Sequence, residues 1–200
     1  MSRDIKQVRR IPTQFTTRED GDALTIEGYF AVFNTVYEIA PGMTESVAPG
    51  AFDGVLDSDV RALVNHDTTL VLGRTTANTL SLMQDDRGLW GKIAINPNDS
   101  DAMNLYERVK RGDVSQCSFG FDIENESAEN LDDGSVHWTI NKIKTLWEVS
   151  CCTFPAYSET HVEARNAEVK EMKKRETEAW RKRMEDKLNG IKSTNAPKED

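Results

Sequence analysis

Cysteine and histidine are scarce in this chain, with three of each among 200 residues. Cys117, Cys151 and Cys152 are an odd set with two neighbours and no CxxC spacing, which excludes a disulfide framework and a thiolate metal site of recognisable pattern, so all three are expected reduced. His66, His137 and His161 are too scattered for a zinc motif, and no metal or other cofactor is expected. No apolar run is long enough to span a bilayer, and the opening residues MSRDIKQVRR lack the apolar segment of a signal peptide. A cytoplasmic site of synthesis and no membrane partner are the expectation. Positive charge is in deficit: 25 Lys and Arg stand against 34 Asp and Glu, a net charge of -9, and no basic stripe is interleaved with aromatics. A protein that neutralises phosphates needs a basic footprint, so no nucleic-acid partner is expected.

What is present is polar for a compact domain, 38% hydrophobic and 30% charged, which suits one domain with a solvated appendage. The change of character falls near Ser158. Beyond it, Val162, Val169, Met172, Trp180, Met184, Leu188 and Ile191 form a thin apolar stripe at helical spacings within Glu, Lys and Arg. Residues 162 to 200 hold 11 Lys and Arg against 9 Asp and Glu, while residues 1 to 161 hold 14 against 25, so the acidity belongs to the first part. The organisation expected is a polar arm at 1–21, a domain at 22–157, an amphipathic helix at 158–191 and a disordered tail at 192–200. The helix either packs back on its own domain or contacts another chain, which leaves room for a homo-oligomer.

Within the domain, β patterning begins at Ala23 and recurs near 60–66, 69–73, 79–83, 88–95, 117–123, 136–143 and 146–154, with turn signals at Asp85-Asp86-Arg87-Gly88, Asn96-Pro97-Asn98-Asp99 and Asp132-Asp133-Gly134. One helix interrupts the series at 101–111, opened by Asn98-Asp99-Ser100 and stopped at Gly112, and a shorter helical turn is expected after Pro49. The fold class read from this order is α+β, mainly β, as a barrel or strongly curved sheet with inserted helices.

The stretch Gln116-Cys117-Ser118-Phe119-Gly120-Phe121-Asp122 carries the chemistry. Strand alternation puts Cys117, Phe119 and Phe121 on a core face and Ser118, Gly120 and Asp122 on a small, polar face. That face suits a nucleophile, and equally an ordinary solvent-facing strand. Ser115 is a rival serine, but alternation places it with Cys117 and Phe119. A nucleophilic serine needs a base and a group that orients the base. His66, where a strand-like run gives way to a polar loop, is one candidate base. Glu148 is the single charge in the otherwise apolar run Leu146–Pro155, and a carboxylate there needs a partner. A cationic histidine is one such partner and a salt bridge is another. Main-chain N–H groups or Arg74 could stabilise an oxyanion.

Five segments in order then resemble one family: Gly28-Tyr29-Phe30-Ala31-Val32-Phe33-Asn34; Glu45-Ser46-Val47-Ala48-Pro49-Gly50-Ala51-Phe52; Asn65-His66-Asp67; Gly112-Asp113 leading into Ser118-Phe119-Gly120-Phe121; and Glu148-Val149-Ser150 leading into Pro155-Ala156-Tyr157. The chain is similar over about residues 22 to 160 to the prohead serine proteases of tailed bacteriophages. The resemblance implies a fold like that of the herpesvirus maturation protease, a β-barrel wrapped by helices. It implies a serine endopeptidase that cuts the major capsid protein and scaffold, and in some cases itself, inside the assembling prohead in the host cytoplasm. Ser118 matches the family's nucleophile and His66 its base. Glu148 is the candidate third member; because the herpesvirus enzymes use a second histidine there, His137 stands in reserve. Cys117, Cys151 and Cys152 depart from the Met, Leu, Val or Ser expected at their positions. Two other readings stay open on the sequence: a non-catalytic assembly protein on the same fold, and a cysteine hydrolase using Cys117 or Cys151.

Overall fold

The computed structural model describes residues 3–12, 15–20, 23–153 and 159–194. Its strands are β1 (Arg3–Pro12), β2 (Thr16–Asp20), β3 (Ala23–Val32), β4 (Tyr37–Ala40), β5 (Met43–Val47), β6 (Arg61–Val64), β7 (Asp67–Arg74), β8 (Leu80–Gln84), β9 (Gly88–Ile95), β10 (Gln116–Asn130) and β11 (Val136–Cys152). The described residues also hold the α-helices α1 (Ser100–Arg111) and α2 (Glu159–Thr194), and a single 3-10 turn at Thr75–Ala77. The chain is α+β and mainly strand, as its turn spacing suggested. The chain divides into two compact units, Met1–Ser158 and Glu159–Asp200.

The first unit is built on two sheets. Strands β2, β3, β9 and β8 form one, in that order, and β1, β10, β11, β5 and β4 form the other, to which β6 and β7 are added through a β6–β11 pairing. Among the described residues hydrogen bonding does not run round a closed barrel, so the expected barrel is corrected to two sheets sharing a core. The residues that dictate this are the apolar alternations: Cys117, Phe119, Phe121 and Ile123 of β10 are all fully buried, as are Ile26 and Ile93 from the other sheet. Phe119 stacks on Phe121 with ring centroids 4.8 Å apart and meets Phe52 edge-on at 5.7 Å. Cys117 Sγ donates to the carbonyl of Tyr29 on β3 at 3.1 Å, which ties the two layers together.

Helix α1 begins as expected. Asp99 accepts hydrogen bonds from the main-chain N–H groups of Asp101 and Ala102, and Gly112, at φ +88°, ends the helix in the left-handed region that favours glycine. Its buried face is Ala102, Leu105, Tyr106 and Val109. The helical turn expected after Pro49 is instead a run of single turns, with Ala51, Asp53 and Val55 each bonded three residues back.

Two features depart from the sequence reading. The polar arm at 1–21 contains β1 and β2, which pair antiparallel with β10 and β3. An edge strand needs only main-chain partners, and those lie about a hundred residues away for β1, beyond any local pattern. The segments expected at 136–143 and 146–154 are one strand, β11, of 17 residues. Its first half runs parallel to β5 and its second half parallel to β6, so both leave from one long strand. In the second unit α2 extends from Glu159 to Thr194, with Trp180 and Met184 exposed. The disorder expected at 192–200 falls, from residue 195 on, outside the described residues.

Candidate active site

The strand that carries Ser118 is paired with β11 so that Cys117 faces Cys151, Ser118 faces Ser150, Phe119 faces Val149 and Gly120 faces Glu148. Residues opposite one another in a ladder share a face of the sheet. With Cys117 and Phe119 in the core, Ser118, Gly120, Ser150 and Glu148 therefore lie together on the other face. That face is not bathed in solvent: Ser118 and Ser150 are fully buried and Glu148 nearly so.

Glu148 reaches this face through a β-bulge. The core residues of β10, two apart at Phe119, Phe121 and Ile123, are matched on β11 by Val149, Leu146 and Ile143, three apart. One residue is extra in each interval, and in the interval next to the site it is Trp147, since Leu146 pairs with Phe121 and Glu148 with Gly120. Plain alternation from Leu146 would aim Glu148 into the core. The extra residue reverses that, as bulges do beside functional sites. Trp147 itself stays 44% exposed, its indole N–H donating to Asp122 Oδ2 at 3.0 Å.

His66 arrives from the other side of β11. Strands β6 and β7 form a hairpin in which Val64 pairs with Asp67, leaving Asn65 and His66 as a two-residue turn. Their φ angles of +49° and +65° are both left-handed, as a type I′ turn requires. Asparagine and histidine tolerate that region better than most residues other than glycine. Because β6 runs parallel to the end of β11, the turn lands on Ser150–Thr153. The Asn65 N–H donates to Cys151 O at 3.0 Å, Asn65 Oδ1 accepts from the Thr153 N–H at 2.9 Å, and the His66 N–H donates to Ser150 Oγ at 3.3 Å.

His66 Nδ1 then lies 2.7 Å from Glu148 Oε1. A carboxylate can only accept, so Nδ1 carries the proton and Nε2 is left as the basic nitrogen. Nε2 is 3.9 Å from Cys152 Sγ, across the ladder from Gln116. The ring stays 15% exposed, which leaves the base within reach of a ligand. The second carboxylate oxygen, Oε2, accepts from Ser150 Oγ at 2.6 Å. A buried carboxylate with two such partners escapes most of the cost of its burial.

Other sequence candidates lie elsewhere. His137 pairs with Thr44 at the opposite end of β11, on the order of 30 Å from Glu148 at the usual rise of a strand. Its two ring nitrogens meet Thr44 Oγ1 at 2.8 Å and Ser46 Oγ at 2.9 Å, so it does not join His66. Ser115 is exposed and precedes β10. Cys117 and Cys151 are on the core face, and burial together with the neighbouring Cys152 pushes the Cys151 thiol well above its ordinary range. Arg74 holds Asp59 in a two-pronged ion pair, at 2.6 and 2.7 Å. The side chain of His161 lies outside the described residues. Sequence reasoning noted Ser150, Asn65 and Cys152 without giving them a place beside His66. The alternation Glu148-x-Ser150-x-Cys152 and the pair Asn65-His66 between two β runs were the available signals. Among the described residues no cluster of His, Cys, Asp and Glu is suited to a metal ion.

Comparison with known proteins places the chain in a family. The family model described as Caudovirus prohead serine protease matches residues 13–175. The prohead protease of Enterobacteria phage HK97 is 28% identical over 164 residues, covering 80% of this chain and 68% of that protein. A solved structure of the bacteriophage T4 capsid assembly protease, gp21, is 12% identical with a TM-score of 0.46, covering 74% of this chain and 98% of that one. The family match takes in the β10–β11 ladder, the β6–β7 turn and the carboxylate beyond the bulge, and with them the chain belongs to the Caudovirus prohead serine proteases, hydrolases of phage head maturation.

Proposed function

We propose that Ser118 is the nucleophile, His66 the general base and Glu148 the group that orients it. The observation that carries this reading is the 2.7 Å contact between His66 Nδ1 and Glu148, made on the sheet face that alternation gives to Ser118. Ser118 Oγ attacks the scissile carbonyl while His66 Nε2 takes its proton, then passes it to the leaving amine. Water repeats the sequence on the acyl-enzyme. Glu148 stabilises the imidazolium formed in both halves, without itself taking the proton.

The substrates in this reading are the major capsid protein and the scaffold, cleaved inside the prohead in the host cytoplasm, with the protease itself as a further substrate. Its two-sheet domain is a relative of the herpesvirus maturation proteases. The net charge is acidic, and among the described residues no helix is long and apolar enough to cross a membrane. Helix α2 serves assembly, its exposed Trp180 and Met184 offering an apolar contact to scaffold or to a second copy.

A fluorophosphonate probe tests the assignment, because it labels only a serine activated by its base. The expected result is one labelled serine, lost in Ser118→Ala and in His66→Ala. Labelling that survives Ser118→Ala moves the nucleophile, and no labelling of the folded protein favours a non-catalytic assembly role.

A further inference from the structure

We infer that Ser150 is a positioning residue for the base, a fourth member of the site that holds both the carboxylate and the turn carrying His66. The inference rests on the reading of His66 and Glu148 as base and orienter.

A serine hydroxyl has one proton to give and two lone pairs to accept with. At Ser150 the proton goes to Glu148 Oε2 at 2.6 Å, and a lone pair takes the main-chain N–H of His66 at 3.3 Å. Ser150 Oγ also lies 3.5 Å from His66 Nδ1, but that nitrogen has its own, shorter partner in Glu148 Oε1. One buried hydroxyl thus touches the acid through its side chain and the base through its backbone. The two ends need such a tie. Glu148 sits just past a bulge, and His66 sits in a turn whose φ of +65° costs free energy for a residue with a Cβ. Left alone, the carboxylate could rotate away from Nδ1 and the turn could relax.

The same geometry removes Ser150 as a nucleophile. Its proton points at a carboxylate, and the imidazole nitrogen nearest to it is the one already protonated. Its neighbour across the ladder, Ser118, carries the attack, and Ser150 keeps the base aimed.

The loss expected from misaligning a base by a fraction of an ångström is about 10- to 100-fold in rate. The experiment compares Ser150→Ala and Ser150→Thr in the full chain. Peptide cleavage gives kcat and KM; proton NMR of the same changes in a Ser118→Ala background follows the downfield Nδ1–H resonance of His66, which reports the bond to Glu148. Ser150→Ala should lower kcat about 10- to 100-fold with little change in KM. It should also shift or exchange-broaden the Nδ1–H resonance, and Ser150→Thr should restore both. If Ser150→Ala fails to fold, Ser150→Cys, which keeps the shape with a weaker donor, must show the same two changes. An undisturbed resonance, with or without a loss of kcat, overturns the inference. Because the NMR arm is independent of which serine attacks, a failure of the Ser118 assignment shows in the probe labelling and leaves this result readable.

Discussion

Ser118 and Ser150 stand opposite each other in the β10–β11 ladder, both fully buried, and the hydroxyl of Ser150 is committed to Glu148. On the proposed assignment the two serines differ in role although they share a face. Replacing Ser118 by Ala should abolish capsid-protein cleavage, a loss of roughly three orders of magnitude or more. The melting temperature should stay close to wild type, because the change removes one oxygen from a well-packed strand. Cleavage by purified Ser118→Ala at the wild-type rate would falsify the assignment.

Glu148→Gln should reduce kcat less than His66→Ala does, since Gln can still contact His66 but cannot stabilise an imidazolium. On the proposed assignment His66→Ala should lose the most, because nothing then takes the proton of Ser118. Rate profiles of the three proteins on one peptide decide the matter. Glu148→Gln at full activity would remove Glu148 from the mechanism.

Asp59 provides a test of stability rather than of catalysis. Its carboxyl is held down to about 2 first by the hydrogen bond from Arg74, with the charges of Arg61 and Arg74 adding to the effect. In the unfolded chain the same group titrates near its ordinary value of about 3.9. A depressed folded-state value means stability that is fully present above about pH 4 and lost as pH falls through about 2. Asp59→Asn should be less stable than wild type at neutral pH, with the difference shrinking through that acid window. Urea unfolding at a series of pH values measures it, and parallel curves for the two proteins would contradict it.

Thiol chemistry should leave the folded enzyme untouched at two of its cysteines. Cys151 is fully buried with its thiol pushed upward, and Cys117 is fully buried and bonded to Tyr29 O. Iodoacetamide at mildly alkaline pH should label neither until denaturant is added, as peptide mass mapping would show. Rapid native-state labelling of Cys151 together with loss of cleavage would revive a thiol mechanism.

Removal of the second unit should separate catalysis from assembly. A chain ending at Tyr157 is expected to cleave a peptide about as fast as the full chain and to melt at a similar temperature, since the division falls at Ser158. It should enter proheads poorly. Loss of the melting transition in the shortened chain would assign the helix to the catalytic unit's own stability.

The legible part of the sequence was what local pattern encodes. The alternation around Phe119 and Phe121 revealed the core face of β10, and Asp99 and Gly112 marked the two ends of α1. His66 and Glu148 stood out as a polar turn residue and a lone charge in an apolar run. What the pattern could not carry was pairing. The extra residue at Trp147 decides which face Glu148 uses, and a bulge is visible only against the partner strand. The burial of Ser118 and the strand nature of residues 3–12 have the same origin, in contacts between segments far apart in the chain. The neighbourhood of Ser150 was likewise hidden, because the residues it joins are 84 and 2 positions away.

The parallel pairing of β6 with the end of β11 also sets an order of assembly. His66 is translated early, but the residues that seat its turn, Ser150, Cys151 and Thr153, and the carboxylate that aims its ring, are among the last of the first unit to leave the ribosome. Until β11 has been made and has docked, the β6–β7 hairpin has no neighbour on its inner edge and the imidazole no anchor. A nascent or truncated chain that stops short of Cys152 therefore carries the serine and the histidine without a working arrangement of the two. On the proposed assignment the site is complete only once nearly the whole first unit has been made.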